Sequence, residues 1–456
     1  MAQLHPEFVK AMAGLPDVLR ALTETEPVVS VRMNVRKPMP SVVNTPGECK
    51  TEQVAVLTET GRYLDVRPRF SADPAWHVGA YYVQDASSMV ITPVVRELVA
   101  RLQAEGAQGI TYMDACAAPG GKTTAALDAL PPDSVMVANE YDFKRASVLR
   151  ENLLKWGCPD VIVTRGGTER FSGMREVFDI IAVDAPCSGE GMMRKDSEAV
   201  AQWTPALVCE CAQRQREILD NLWPALKPGG YLVYSTCTFN HSENEDIIKY
   251  LEQEYEAVRV ETVLDTLPGV TEGHFYPGRF RGEGLYMAVV SKPGEWKPDS
   301  IRNKSEKSRK QTKKKADAVS LPEQLRKSLP EGYRFIITDD GCVQAMSARV
   351  EEWMKRHSAA VDVISAGVEV ATVKGRDVIP SHALAMCTVF DSAGWPQVEV
   401  NKACALSYLR REAIELPEGT PGGMVLICYG SQPLGWVKNL GKRANNLYPL
   451  QYRLRT

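Results

Sequence analysis

The chain is predicted to adopt an α/β fold: a doubly wound, mostly parallel sheet, with a small N-terminal lobe before it and a β-rich region after it. Three observations carry this. From Gly109 to about Pro293, short apolar runs alternate with helical ones, the pattern of repeated βαβ units. The run Phe178-Asp-Ile-Ile-Ala-Val is rich in branched residues, as a strand buried on both faces should be, and Gly230-Tyr-Leu-Val-Tyr matches it. Past residue 294 the composition turns basic and core-less, and the elements after it are short and punctuated by glycine.

Residues 1–80 form the first unit, with a strand pattern at Val28-Val-Ser-Val-Arg-Met-Asn-Val. Arg32, Arg36, Lys37, Arg62, Arg67 and Arg69 recur there, either as a solvated surface or as an RNA-facing one. The core, 81–293, opens with a helical stretch from Ser87 to about Gln103. Its strands are expected at Ile110–Cys116, Ser134–Glu140, Val161–Thr164, Phe178–Asp184, Gly230–Thr236, Ala257–Val263 and Tyr286–Ser291. Helices are expected at Gly121–Ala129, Phe143–Trp156, Pro205–Leu226 and Glu243–Tyr255. Thr204 before Pro205 is a natural helix start, and Ser242 to Glu245 has capping-box spacing. Residues 294–318 read as a basic linker: Arg302 to Lys315 holds eight basic residues against one acid. Residues 319–456 read as a largely β region with one helix at Lys402–Glu412, and Lys438, Lys442, Arg443, Arg453 and Arg455 make its end basic.

At 456 residues the chain is too long for one core. Its 54 Lys+Arg nearly balance 57 Asp+Glu, so any polyanion must be met by local patches. No apolar run spans a bilayer, and the first ten residues lack a signal-peptide pattern. Eleven scattered cysteines give neither a disulfide framework nor a zinc site; Cys209-Glu-Cys211 lies in a helical pattern and reads as core packing. A cytosolic protein with free thiols and no metal is the expectation.

Two cysteines stand where the chain leaves buried strands: Cys187 in Asp184-Ala-Pro-Cys-Ser-Gly, and Cys237 in Ser235-Thr-Cys-Thr. Ligands collect at the carboxyl ends of parallel strands, so both should face one crevice. A single such cysteine is most simply a small core residue; two at neighbouring strand ends point to chemistry. The turn Asp114-Ala-Cys-Ala-Ala-Pro-Gly-Gly-Lys-Thr-Thr follows the first core strand and opens a helix. A P-loop would need glycine where Cys116 stands, and Pro119 removes a donor from the phosphate cradle. An S-adenosylmethionine site fits better: Glu140 ends the second strand about twenty residues on, where a carboxylate can accept from both ribose hydroxyls.

These motifs resemble those of the Sun-type RNA cytosine-5 methyltransferases, as do Tyr82-Val-Gln-Asp-Ala-Ser-Ser and Arg281-Gly-Glu-Gly-Leu-Tyr-Met-Ala, over roughly residues 25–292. Tyr408-Leu-Arg-Arg-Glu, Gly435-Trp-Val-Lys and Asn446-Leu-Tyr-Pro resemble the PUA-like RNA-binding end of the bacterial RsmF type. The resemblance implies a Rossmann-like class I methyltransferase core and a PUA-like C-terminal domain. It implies S-adenosylmethionine held by Ala115, Cys116, Ala117, Ala118, Pro119, Gly120, Gly121, Lys122, Glu140, Arg145 and Asp184. Cys237 would be the nucleophile, Cys187 the release cysteine, Asp184 the holder of the base and Lys122 a charge in the cleft. The implied partner is RNA, ribosomal first and transfer RNA second, met by a monomer without a membrane. Two positions depart from the family pattern: Gly167 falls where relatives carry an aspartate near the adenine, and Gly278 where many carry histidine.

The residue types suit the chemistry. Carbon 5 of cytosine is too electron-poor to attack a sulfonium until a thiolate has added to carbon 6. A second group must then help remove the carbon 5 proton. Asp184, if burial raised its pKa, would donate to ring nitrogen 3. An amino-group methyltransferase would want an aromatic where Cys187 stands. A competing reading from another class is an RNA-binding assembly protein that keeps the fold without turnover; both cysteines argue against it.

Overall fold

The computed structural model describes residues 4–40, 46–54, 57–298, 321–375 and 377–455. Most of the expected linker, including Arg302 to Lys315, lies outside them. Five core strands run parallel: β1 (Thr111–Asp114), β2 (Val135–Glu140), β3 (Val161–Arg165), β4 (Phe178–Asp184) and β5 (Leu226–Thr236). Across the sheet their order is β3-β2-β1-β4-β5, with β6 (Leu285–Ser291) antiparallel beside β5. The order reverses between β1 and β4, and a crevice opens there at the carboxyl ends. Alternate residues feed opposite faces: Tyr112, Ile180 and Val233 join one buried cluster, Met113, Ile181 and Leu232 the other. Burial on both faces is why these strands read as unbroken apolar runs.

Helices α1 (Gly121–Leu127), α2 (Phe143–Trp156), α3 (Pro205–Leu222) and α4 (Glu245–Tyr255) belong to the same unit. Local signals fix α2: the Asp142 carboxylate accepts from Arg145 N at 2.8 Å, and Gly157 ends the helix at φ 88°. Thr204 caps α3 through Leu207 N, and a tighter turn, Trp223–Ala225 with Pro224 in it, ends the helix before Leu226. α1 stops short of Ala129 at Asp128, whose carboxylate is held by Arg32 and by Trp156 Nε1.

Two local expectations are corrected. Ser242 does not cap α4: Asn240 caps a short turn over His241–Glu243, and the Glu245 carboxylate is bound by His274 at 2.7 Å. The strand expected over Ala257–Val263 shrinks to Val258–Arg259 on the sheet edge, because Thr262 and Asp265 form a capping box that turns the chain away.

The N-terminal lobe is a four-stranded antiparallel sheet, Thr51–Gln53, Gly61–Leu64, Ser30–Met33 and Tyr81–Val83 in spatial order. Two of its six basic residues are structural rather than RNA-facing. Arg32 is fully buried, bound to Gln84, Thr124 and Asp128 and lying 4.3 Å from the Trp156 ring centre. Lys37, also buried, donates to the carbonyls of Val78 (2.9 Å) and Lys155 (2.7 Å), capping the end of α2. Both clamp the lobe to the core. Arg67 and Arg69 remain exposed.

From Leu321 onward the chain is more than a small β unit with one helix. Two four-stranded sheets form, over 334–380 and 397–446. Helices Ala348–His357 and His382–Met386 accompany the expected one, which ends at Leu409 rather than Glu412, just before Arg411 turns left-handed at φ 60°. Strand β7 (Asp362–Ala366) leaves this region to pair antiparallel with β3, extending the core sheet. Among the described residues no helix is long and apolar enough to cross a membrane.

Candidate active site

A cleft of about 800 Å³ opens at the carboxyl ends of β1, β2, β4 and β5. Ala115, Cys116, Glu140, Arg145, Asp184, Cys187 and Cys237 all line it. Ala117 to Gly121 are not among its lining residues; they shape the turn behind it. Gly120 sits at φ 107°, where a side chain is strained, and the Pro119 carbonyl is held by Tyr82 Oη (3.0 Å) and Asn152 Nδ2 (2.8 Å). Lys122 does not line the cleft either; its ammonium lies 2.8 Å from Oδ1 of Asp184, which does.

The sulfurs of Cys187 and Cys237 lie 3.1 Å apart. That exceeds a disulfide's bond of about 2 Å, so two free thiols touch. The hydrogen bond with Cys237 raises the Cys187 pKa well above the usual thiol range, and burial adds to it. Cys187 therefore keeps its proton. Burial alone would lower the Lys122 pKa, but the charge and hydrogen bond of Asp184 outweigh it, with Cys237 and Asp114 adding smaller attractions. Asp184 also accepts from Ser235 Oγ at 2.9 Å, and its side chain is 34 % exposed.

Glu140 is buried at the end of β2 and accepts from the backbone N–H of Ala118 (3.3 Å) and Asp142 (3.0 Å). Arg145 lies 3.5 Å from it and donates to the Ala118 carbonyl at 2.8 Å. Asp114 was not singled out from the sequence. One of its oxygens accepts from Thr123 at 2.6 Å; the other is buried without a hydrogen-bond partner. Burial, reinforced by the charge of Asp184, pushes its pKa up to about 7. At Gly167 a β-carbon would fall 2.0 Å from Glu169 Oε2. The Glu169 side chain folds over the glycine, and it lines the cleft.

Behind the two cysteines sit two buried carboxylates that sequence reasoning also missed. Glu190 accepts from Phe239 N (2.6 Å), Asn240 N (3.1 Å), Asn240 Nδ2 (3.1 Å) and Trp203 Nε1 (3.0 Å). Glu243 accepts from Ser188 N (3.0 Å), Gln215 Nε2 (2.8 Å) and Asn240 Nδ2 (2.8 Å). Each spans the loops after β4 and β5, so together they set the spacing of the thiols. Both Glu190 oxygens are filled by N–H donors, and an amide there would face two of them with its own N–H₂. Glu190→Gln is expected to lower stability by about 2–4 kcal/mol in urea unfolding; an unchanged midpoint would mean the loops are held otherwise.

Among the described residues, no group of three or more His, Cys, Asp or Glu side chains is placed to hold a metal. Cys211 is buried within α3, whereas Cys209 is exposed.

The reversed sheet order, the turn after β1 and the acid ending β2 define a Rossmann-like methyltransferase fold, joined here to a PUA domain. The chain belongs to the 16S rRNA methyltransferase RsmB/F family, whose profile matches residues 102–291, while residues 396–454 match the RsmF PUA domain. A ribosomal RNA small subunit methyltransferase F from Shewanella loihica is 32% identical over 391 residues, 81% of this chain and 77% of that protein. One from Shewanella sp. strain W3-18-1 is 31% identical over 394 residues, 81% of this chain and 78% of that one. Two solved structures share the fold. A methyltransferase homolog protein from Pyrococcus horikoshii has a TM-score of 0.50 at 23% identity, covering 63% of this chain and 100% of that one. NSun6 from Pyrococcus horikoshii, solved with SFG, has a TM-score of 0.51 at 19% identity, covering 63% and 97%.

Proposed function

We propose that the protein methylates carbon 5 of a cytosine in small-subunit ribosomal RNA, using S-adenosylmethionine, through a covalent Cys237 adduct released with the help of Cys187. The observation that carries this reading is the 3.1 Å contact between two free thiols, both lining one cleft with Glu140 and Asp184. The names of the Shewanella relatives support ribosomal RNA as the substrate.

The residues present fit the methyl donor. Glu140 stands at the second strand end for the ribose hydroxyls, and the unpartnered Asp114 oxygen is an acceptor awaiting a donor. Glu169 brings a carboxylate over Gly167, where the family aspartate is missing, and can accept from the adenine amine. S-adenosylmethionine supplies the methyl group as an electrophilic sulfonium. Glu169→Ala should raise its Kd about tenfold, read by calorimetry on the free protein, which is one hydrogen bond to a charged acceptor. An unchanged Kd would remove Glu169 from the adenine site.

With Cys187 keeping its proton 3.1 Å away, Cys237 is the sulfur proposed to attack. Cys237 gives up its proton to solvent, the lone pair of the resulting thiolate forms a bond to carbon 6, and the electrons of the carbon 5–carbon 6 double bond move toward carbon 5. Asp184, held as an acceptor by the Lys122 ammonium, takes a hydrogen bond from the cytosine 4-amino group, while Lys122 offsets charge growing on the ring. With the methyl in place, the carbon 5 proton leaves to water held against the Cys187 sulfur, or to that sulfur once its own proton has passed to solvent. The electron pair left behind restores the ring double bond as the bond from Cys237 to carbon 6 breaks. Reaching carbon 6 requires a base outside its stack.

Bisulfite sequencing of ribosomal RNA from cells with and without the gene tests the proposal. One cytosine of the small subunit should lose its protection when the gene is absent; an unchanged pattern rejects the assignment.

A further inference from the structure

At the far end of α2 from the active cleft lies a second cavity, of about 270 Å³, walled by the N-terminal lobe, α2 and the last turn of the C-terminal region. Arg145 of α2 lines the active cleft and Lys155 lines this cavity. Ten residues of helix separate them, about 15 Å. One wall is aromatic. The His382 ring meets Tyr448 at 5.2 Å, nearly edge-on, and Tyr452 at 5.8 Å. Trp76 stands opposite in sequence origin, with the Lys155 ammonium 3.9 Å from its ring centre.

The mouth is cationic. Arg453 and Arg455 both line it, both are exposed, and neither side chain has a hydrogen bond or ion pair among the described residues. The acid in the lining, Glu151, is already engaged by Lys155 at 3.5 Å. His382 carries no positive charge of its own: burial pushes its pKa down to about 3, and the nearby Lys37, His77 and Lys155 add to the shift. Its Nδ1 is buried without a hydrogen-bond partner. Flat rings and two guanidiniums at the rim are what an unstacked nucleotide needs: surfaces for the base and charges for its phosphates.

We propose that this cavity takes one unpaired nucleotide of the RNA substrate, its base against Tyr452 and His382 and its flanking phosphates on Arg453 and Arg455. The site rests on the RNA-methyltransferase reading and deepens it. A strand held there and in the active cleft runs along α2, so the C-terminal tail gauges where the target cytosine lies along the RNA.

Filter binding of full-length protein to in vitro transcribed small-subunit ribosomal RNA, over a range of salt concentrations, tests this. Tyr452→Ala should bind about five- to a hundredfold more weakly, the range of one lost base stack, and Tyr452→Phe like the unaltered protein. Arg453→Ala with Arg455→Ala should weaken binding and flatten the salt slope by about two phosphate contacts, with the double lysine variant restoring the slope. The arginines are exposed, so this pair reports even if Tyr452→Ala does not fold. Wild-type affinity and slope in the arginine double variant, alongside intact methylation by the unaltered protein, overturns the pocket and leaves the methyltransferase reading standing. An unaltered protein that neither binds nor methylates RNA overturns both.

Discussion

A Cys237→Ala variant is expected to lose methyl transfer by at least about a thousandfold while binding S-adenosylmethionine normally. The sulfur is proposed to make the bond that renders carbon 5 reactive, and the third thiol lining the cleft, Cys116, is held protonated by burial. Cys187 is 3.1 Å away, but its proton is held there by the contact with Cys237 and by burial. The groups proposed to bind the donor, Glu140 and Asp114, belong to β2 and β1, not to the loop after β5. Methyl transfer to ribosomal RNA and calorimetric binding of the donor therefore separate. Substantial residual activity would mean that the thiol is a packing residue.

Lys122→Met carries the second large effect, a fall in turnover of about a hundred- to a thousandfold, the range for removing one preorganised charge from a reacting centre. The ammonium lies 2.8 Å from Asp184, so its loss also leaves that carboxylate unpaired at the mouth of the cleft. Negative charge beside a ring that is itself gaining electrons opposes addition of the thiolate. Lys122→Arg should recover part of the loss, since the positive charge returns in a different shape. If single-turnover rates with Lys122→Met match those of the unaltered protein, the pair is structural.

The parts of this molecule legible in its sequence are those set by local signals. Helix α2 runs over the expected residues because Asp142 and Gly157 mark its ends within the chain's own neighbourhood. Cys187 and Cys237 come together because each follows a buried parallel strand, and such strands are plain as apolar runs. What stayed hidden depends on distant partners. Arg32 and Lys37 look like surface charges until Asp128 and the end of α2 arrive to bury them. Glu190 and Glu243 look like ordinary helix and loop acids, yet their ligands come from loops some fifty residues apart. β7 reads as part of a separate C-terminal unit, and only its register against β3, with Val363 opposite Thr164, reveals that it completes the core sheet. The cap expected at Ser242 failed because Glu245, the reciprocal partner it needed, is bound by His274.

The most direct test of a transient bond between protein sulfur and pyrimidine uses Cys187→Ala. With the proposed release group gone, the methylated base should stay attached to Cys237. After incubation with ribosomal RNA and the methyl donor, the variant should migrate on a denaturing gel as a protein–RNA conjugate. The conjugate should vanish when Cys237→Ala is added to the same chain. A Cys187→Ala protein that still turns over, or that forms no conjugate while methylating its RNA, would contradict the covalent route.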